Sequence, residues 1–276
     1  MTQISFIKMS GTSNDFVIID VRKNNYQFTP EQITKISARN NIGCDQFIVL
    51  KNSANCHIFM EIYNSNGSKS NACGNATRCV ALLVMEENNL NEVLIETNAG
   101  ILPCKKEQDC ILVNMGKPKF ASNQIPLSAN SNLNSDSIKI DKFEFSAVNM
   151  GNPHIVTFLE NELADGEFFK ISPKLENHDY FPQKTNIEFV TKESENHLKV
   201  RVWERGVGET LACGSGACAV GAIAFKKNIV KAGSEIKISF KGGDIFISLN
   251  NDKEIIMRGD ATKIFYGIID NNFLNS

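Results

Sequence analysis

Apolar and polar residues alternate in short runs along much of the chain, the period-two signature of half-buried strands. Such runs cover Phe16–Asp20, Phe47–Leu50, His57–Tyr63, Val93–Thr97, Ile111–Met115, His197–Trp203, Glu235–Phe240 and Ile245–Leu249. Helical patterning is confined to Pro30–Arg39, Asn75–Glu87 and Ser215–Lys227. Thr29 and Pro30 supply a cap and a first-position proline for the earliest of these. The helix after Ser215 is small and apolar on all sides, which predicts burial all round. Together these elements predict an α+β architecture of two similar, pseudo-symmetric domains. Each is expected to wrap a mostly antiparallel sheet around a central helix, with the active site in the cleft between them.

The two halves repeat each other. Cys73-Gly74-Asn75-Ala76 and Cys213-Gly214-Ser215-Gly216 each follow a polar stretch and open an apolar helical run. Upstream, the segment from His57 to Asn64 matches that from His197 to Glu204, and Gln46-Phe47-Ile48-Val49 falls near Ile187-Glu188-Phe189-Val190. Downstream, the spacing from Gly100 to Gly116 equals that from Gly243 to Gly259. The segment from Gly11 to Val17 echoes that from Met150 to Val156. A unit of this length reads as a duplicated domain rather than a solenoid. The expected division is 1–118 carrying Cys73, completed by 264–276, and 119–263 carrying Cys213. Asn-rich sequence from Ala121 to Ser137 is the expected link.

Composition narrows the functional classes. With 29 basic and 31 acidic residues the net charge is −2, and no Lys/Arg cluster stands out. Nucleic acid and anionic membranes are therefore not the expected partners. The nearly apolar stretch Ala217–Phe225 is too short to cross a bilayer. Met1–Ser10 lacks the basic start, apolar core and cleavage site of a signal peptide, so a cytoplasmic location is expected. The eight cysteines show no C-x₂-C zinc spacing, and no metal is expected. Cys56, Cys104 and Cys110 lie in strand-like segments and read as inert buried thiols, as do Cys79 and Cys218 within helices. Cys44, in a glycine-containing turn, reads as structural.

Cys73 and Cys213 differ from the other six by their place at helix N-termini. There the macrodipole and unpaired N–H groups favour a thiolate. Two such thiols suit the inversion of a carbon stereocentre, which needs a base on one face and an acid on the other. Backbone N–H groups of Gly74, Asn75, Gly214 and Ser215 are candidates to hold the substrate carboxylate and stabilise the developing enediolate.

The sequence closely resembles the diaminopimelate epimerases, nearly end to end. The motifs in the first half are Lys8-Met9, Asn14-Asp15-Phe16, Asp45-Gln46, Tyr63-Asn64-Ser65-Asn66-Gly67-Ser68, Cys73-Gly74-Asn75, Arg78-Cys79 and Asn114-Met115-Gly116. In the second half they are Met150-Gly151-Asn152-Pro153-His154, Thr185-Asn186, the run from Glu204 to Thr210 and Ala212-Cys213-Gly214-Ser215-Gly216. The resemblance implies the duplicated fold and the interconversion of LL- and meso-diaminopimelate, in lysine and peptidoglycan precursor biosynthesis. It implies no pyridoxal phosphate, metal or nucleotide, and the chain has no P-loop or G-x-G-x-x-G turn.

By the same resemblance Asn64, Asn152, Asn186 and Arg205 grip the distal end of the substrate. Asn14, Gln46 and Glu204 complete the pocket, while Glu204 and His154 tune the thiols. Ser13 and Ala76 stand where the family usually has glycine. Phe265 replaces a tyrosine linked to dimer contacts in some relatives, and a homodimer is the implied assembly. Proline-racemase-like enzymes share the two-cysteine logic, but Glu204 and Arg205 suit a second charged centre. A thiol redox protein would be expected to carry C-x-x-C, and a non-catalytic duplicate to have lost one thiol.

Overall fold

A computed structural model describes residues 3–24, 26–128, 133–231 and 233–275. Residues 129–132 of the Asn-rich link and the first two residues of Met1–Ser10 lie outside the described residues. The chain forms two compact units, Met1–Val113 with Gly259–Ser276, and Asn114–Arg258. These divisions fall slightly before those expected at 118/119 and 263/264.

In the first unit, strands Gln3–Gly11 and Asn14–Asp20 form a hairpin closed by the pair Gly11 and Asn14. Thr262–Asp270 pairs antiparallel along the other edge of Gln3–Gly11. Asn14–Asp20 runs parallel to Gln46–Lys51, with Phe16 opposite Gln46. That strand runs antiparallel to Ile58–Asn64, with Gln46 opposite Asn64. Ile58–Asn64 is parallel to Glu92–Thr97, and the hairpin strands Gly100–Glu107 and Cys110–Asn114 follow. Helix α1 (Pro30–Ser37) covers one face through Ile33 and Ile36, packed with Val17, Ile19, Phe47 and Val49. Its start, with Thr29 as cap and Pro30 in the first turn, is as the sequence predicts, and Gln32 completes a capping box. Helix α2 (Gly74–Asn88) packs against strands of the same sheet and is buried along its N-terminal two-thirds.

The second unit repeats this order. Phe143–Asn149 and Pro153–Leu159 form the hairpin, and Pro153–Leu159 runs parallel to Asn186–Ser194 with His154 opposite Asn186. Asn186–Ser194 is antiparallel to His197–Glu204, which is parallel to Ile236–Phe240, and further antiparallel strands Gly243–Leu249 and Ile255–Gly259 follow. Helix α3 (Asp165–Glu176) covers one face through Phe168 and Leu175, packed with Phe145, Ile155, Ile187 and Phe189. The short-run patterning of the sequence misses this helix. Ala164 provides no side-chain cap and Pro173 interrupts its interior. The strand registers also correct the sequence alignment of the halves. Gln46 corresponds to Asn186 rather than Ile187, which places Phe16 against His154 and Ile48 against Glu188.

Two consequences position the candidate site. Because helices cover both faces of each sheet, its central strands are buried on both sides, and alternate residues such as Val17 and Ile18 are equally buried. Because the parallel pairs are in register, Asn14, Gln46 and Asn64 meet at one end of the first sheet. Asn152, Asn186 and Glu204 meet at the same end of the second.

Helix α4 (Gly214–Lys226) is the apolar helix of the second unit, with Ala217 through Ala224 all buried. Its small residues allow close approach to the sheet. A Cβ on Gly221 would lie 2.5 Å from Cγ2 of Ile247. Gly221→Ala is therefore expected to overpack this contact and cost about 1–3 kcal/mol of stability by denaturant unfolding. The added Ile247→Ala change should recover part of that loss relative to Ile247→Ala alone, and strictly additive effects would count against the contact.

Candidate active site

The sulfur of Cys73 caps α2, accepting the Ala76 N–H at 3.4 Å. Gly74 and Asn75 follow as the first two helical residues, both buried. Beside the thiol, Asn14 places its Oδ1 3.9 Å from Cys73 Sγ and donates from Nδ2 to Asp45 at 2.9 Å. Asp45 belongs to a charged cluster in which Arg39 bonds both Asp15 and Asp45, and Lys8 reaches Asp15 at 2.5 Å. Burial opposes the charge on Asp15, but hydrogen bonds from Arg39 and Lys8 outweigh it and hold the carboxyl well below its usual range.

Asn14 follows a two-residue turn in which Thr12 and Ser13 adopt φ of 51° and 57°. A hairpin this tight needs two left-handed residues, and here neither is glycine. Each left-handed residue costs about 1–2 kcal/mol. Asp260 Oδ1 accepts from Thr12 N at 2.9 Å and from its hydroxyl at 3.1 Å. Arg78, fully buried, donates to Thr12 Oγ1 at 2.8 Å, to Asn75 Oδ1 at 3.1 Å and to the Asp260 carbonyl at 2.9 Å. One guanidinium thus ties the turn before Asn14 to the helix start after Cys73. The sequence quotes Arg78 within a motif, yet its link to Asp260 is too distant along the chain to be read.

The remaining first-half residues form a second contact. Gln46 Nε2 donates to Asn64 Oδ1 at 3.2 Å, and Asn64 Nδ2 donates to Ser68 Oγ at 3.0 Å. Gln46 Oε1 is buried and accepts no hydrogen bond among the described residues. It is an acceptor suited to an ammonium group. Ala76 stands at an ordinary early helical position, whereas Ser13 occupies a conformation that glycine adopts freely.

In the second half Cys213 Sγ caps α4, accepting the Gly216 N–H at 3.3 Å, with Ser215 Oγ at 3.5 Å. The expected lowering of this thiol by the helix N-terminus is corrected here. Burial pushes the Cys213 pKa well up, and the carboxylates of Glu204 and Glu188 add to it. The Ser215 hydroxyl and Gly216 N–H oppose them without prevailing. Glu204 is itself raised, chiefly by burial, while bonds from Thr210 and Cys213 pull the other way. Its Oε1 accepts from Thr210 Oγ1 at 2.5 Å.

His154 lies fully buried, with Nδ1 2.6 Å from Glu188 Oε1 and Nε2 2.9 Å from Asn152 Oδ1. Asn186 is engaged at both ends by backbone, donating to the Pro153 carbonyl at 2.7 Å and accepting the Arg205 N–H at 2.9 Å. Arg205 is exposed and donates to the Gln183 carbonyl at 3.1 Å. Glu188 is the site residue that sequence reasoning passes over. Its signal was a lone acid in the otherwise apolar run Ile187–Val190.

Each half therefore gathers one capping thiol, the first-turn amides behind it and a row of polar side chains at the strand ends. Among solved structures, the fold is similar to that of a hydroxyproline epimerase from Agrobacterium vitis, with a TM-score of 0.68 at 10% identity over 99% of this chain and 94% of that one. It is also similar to a phenazine biosynthesis family protein from Bacillus anthracis, with a TM-score of 0.66 at 16% identity over 98% and 100%. The two-domain α+β fold is thus shared with these two proteins.

In sequence, the family described as Diaminopimelate epimerase matches residues 6–121 and 146–264. A diaminopimelate epimerase from Zymomonas mobilis is 39% identical over 96% of this chain and 97% of its own length. One from a Wolbachia of Drosophila simulans is 41% identical over 93% and 96%. The chain belongs to the diaminopimelate epimerase family and is an isomerase. Among the described residues no helix is long and apolar enough to cross a membrane.

The electrostatics at Cys213 predict the effect of one substitution. Glu204→Gln removes a negative charge that raises this thiol, so the pH midpoint for its alkylation by iodoacetamide should fall. Peptide mapping by mass spectrometry across a pH series reads that midpoint, and an unchanged or higher value would contradict the electrostatic role.

Proposed function

We propose that the enzyme interconverts LL- and meso-2,6-diaminopimelate by moving a proton between the two faces of one α-carbon. Cys73 and Cys213 are the acid–base pair, in a step serving lysine and peptidoglycan precursor synthesis. The observation that carries this reading is the matched placing of the two thiols. Each is the N-cap of a buried helix, and each accepts the N–H of the third helical residue. Inversion needs a base on one side and an acid on the other, and two thiols that exchange roles serve both directions. In one direction Cys73 takes the α-proton while Cys213, held as a thiol by burial and two carboxylates, delivers one. In the reverse direction the roles exchange.

The carbanion is stabilised at the two helix starts. First-turn N–H groups have no intrahelical partner, so those of Gly74, Asn75, Gly214 and Ser215 are available to the substrate carboxylate. Each well-placed donor is worth roughly 2.7–4 kcal/mol of barrier. Asn14, beside Cys73, and Glu204, beside Cys213, line the reacting centre. The unpartnered Gln46 Oε1 accepts from a substrate ammonium. Asn64, Asn152 and Arg205 hold the distal end, with Arg205 offering a forked donor to its carboxylate. Asn186 acts by fastening the Arg205 backbone.

No cofactor enters this scheme, and a reducing compartment such as the cytoplasm keeps both thiols competent. The same reading includes a homodimer. Strand Thr262–Asp270 presents Ile264, Tyr266 and Ile268 as exposed apolar side chains beside Phe265. Light scattering at micromolar concentration should give a dimer mass, and Tyr266→Lys should shift it toward monomer if this strand forms the contact.

Reduced enzyme in deuterated water, given LL-diaminopimelate and no cofactor, should yield the meso isomer with α-deuterium. Turnover of proline without turnover of diaminopimelate would instead favour a proline-racemase-like activity. Cys73→Ala and Cys213→Ala should each abolish epimerisation, whereas Cys56→Ala and Cys110→Ala should leave it nearly intact. Equal losses from all four, at equal folded fraction, would sink the two-thiol assignment.

A further inference from the structure

The proton transfer proposed above uses the charge of Glu188 on Cys213 but leaves its contact with His154 without a task. His154 and Glu188 are both fully buried, joined at 2.6 Å, and His154 reaches Asn152 at 2.9 Å through its other nitrogen. A buried ion pair is a poor way to hold a sheet together, since apolar residues of similar volume usually serve as well or better. The first half of the chain provides that alternative. Its strands pair in the same register, with Phe16 opposite Gln46 and Ile18 opposite Ile48. In the second half His154 is opposite Asn186 and Val156 is opposite Glu188. Phe16 and Ile48 thus fill in one unit the positions that His154 and Glu188 fill in the other.

A third position changes with them. Ala76 and Gly216 are equivalent residues, each donating its N–H to the capping thiol. Ala76 carries a methyl group, but a Cβ on Gly216 would lie 2.9 Å from Glu188 Oε1. The second half lacks a methyl where the carboxylate needs room. Three coordinated differences at one spot point to a task beyond packing.

We propose that Glu188 is a positioning residue that holds His154 as a ring donating from both nitrogens, so that Asn152 turns its NH₂ group toward an anionic ligand. A carboxylate only accepts, so Nδ1–H of His154 donates to Glu188. Asn152 meets the ring with its carbonyl oxygen, also an acceptor, so Nε2–H donates as well. A ring donating at both nitrogens is cationic, and Glu188 compensates that charge at a depth where water cannot. The other titratable groups acting on this cluster are Glu204, on the neighbouring strand, and Cys213, at the start of α4.

With Glu188 uncharged, the ring keeps one proton, held at Nδ1 by the remaining acceptor. Nε2 then accepts, the Asn152 amide rotates, and its carbonyl oxygen faces the ligand carboxylate. The identity of that ligand rests on the diaminopimelate reading, whereas the state of the ring does not.

Nitrogen-15 NMR of histidine-labelled enzyme reads the ring directly, with His154→Phe assigning the signals. Wild type should show two protonated ring nitrogens under the conditions of the activity assay, and Glu188→Gln should show one. The KM for diaminopimelate should rise about tenfold in Glu188→Gln with a smaller change in kcat, the size expected for a lost charge-assisted hydrogen bond. The double variant His154→Phe/Glu188→Ile copies the first half and should melt at or above the wild-type temperature.

A singly protonated ring in wild type would overturn the proposal, as would a doubly protonated ring that survives Glu188→Gln. A double variant that fails to fold would mark the pair as structural and overturn it too. If wild type does not turn over diaminopimelate, the substrate reading fails while the NMR comparison still decides the role of Glu188.

Discussion

The rest of the structure is arranged around a sulfur atom capping a buried helix. Oxygen side chains are the favoured caps, and cysteine is not among them. Yet both α2 and α4 begin on a thiol that accepts an N–H at 3.3–3.4 Å. Such a helix start is held mainly by what surrounds it. For α4 the surroundings are a run of small buried residues against the sheet, and for α2 a buried arginine that bonds back to the hairpin. Since the strands carrying the polar residues run in register, fixing the helix in its sheet also fixes the thiol relative to the strand ends. The helix–sheet contact and the geometry of the candidate site are one constraint.

The environment of Cys213 shows how competing electrostatic effects are ranked. A helix N-terminus favours negative charge by about 0.3–1 kcal/mol at the surface and up to about 2 when partly buried. Full burial can move an ionisable group by roughly 3–5 pKa units, each worth about 1.36 kcal/mol. With Glu204 and Glu188 nearby, desolvation and like charge prevail over the dipole. The helix start then does less to generate a thiolate than to orient the sulfur and present the amides behind it.

The repeat, the cysteine turns and the strand pattern could be read from the chain because they are local or periodic. Thr29-Pro30 marked the start of α1 to the residue, since cap and proline act within one turn. Helix α3 escaped notice because its cap is Ala164 and a proline lies inside it. Glu188 was overlooked for a different reason. In a strand with one wet face, an acid between Ile187 and Phe189 would point to solvent, but here helices cover both faces and the acid is buried. Arg78 and Asp260 belong to contacts closed only by the return of the chain from the second unit. Neither propensity nor periodicity encodes such a pairing.

That return has a bearing on how the molecule is made. The strand Gln3–Gly11 is flanked by its hairpin partner and by Thr262–Asp270, and the turn at Thr12 is held by Asp260. Residues at the start of the chain thus wait for residues near its end before their hydrogen bonds are complete. During synthesis the unit Asn114–Arg258, contiguous in sequence, can close while still tethered to the ribosome. The unit containing Cys73 must first receive the segment from Gly259 onward, and its long-range pairing belongs to the slow class of folding events. Until Thr262–Asp270 has been made, the edge of Gln3–Gly11 stands open, a template for intermolecular strand pairing. A nascent chain stalled before residue 260 would carry a finished second thiol site and an exposed, aggregation-prone first one.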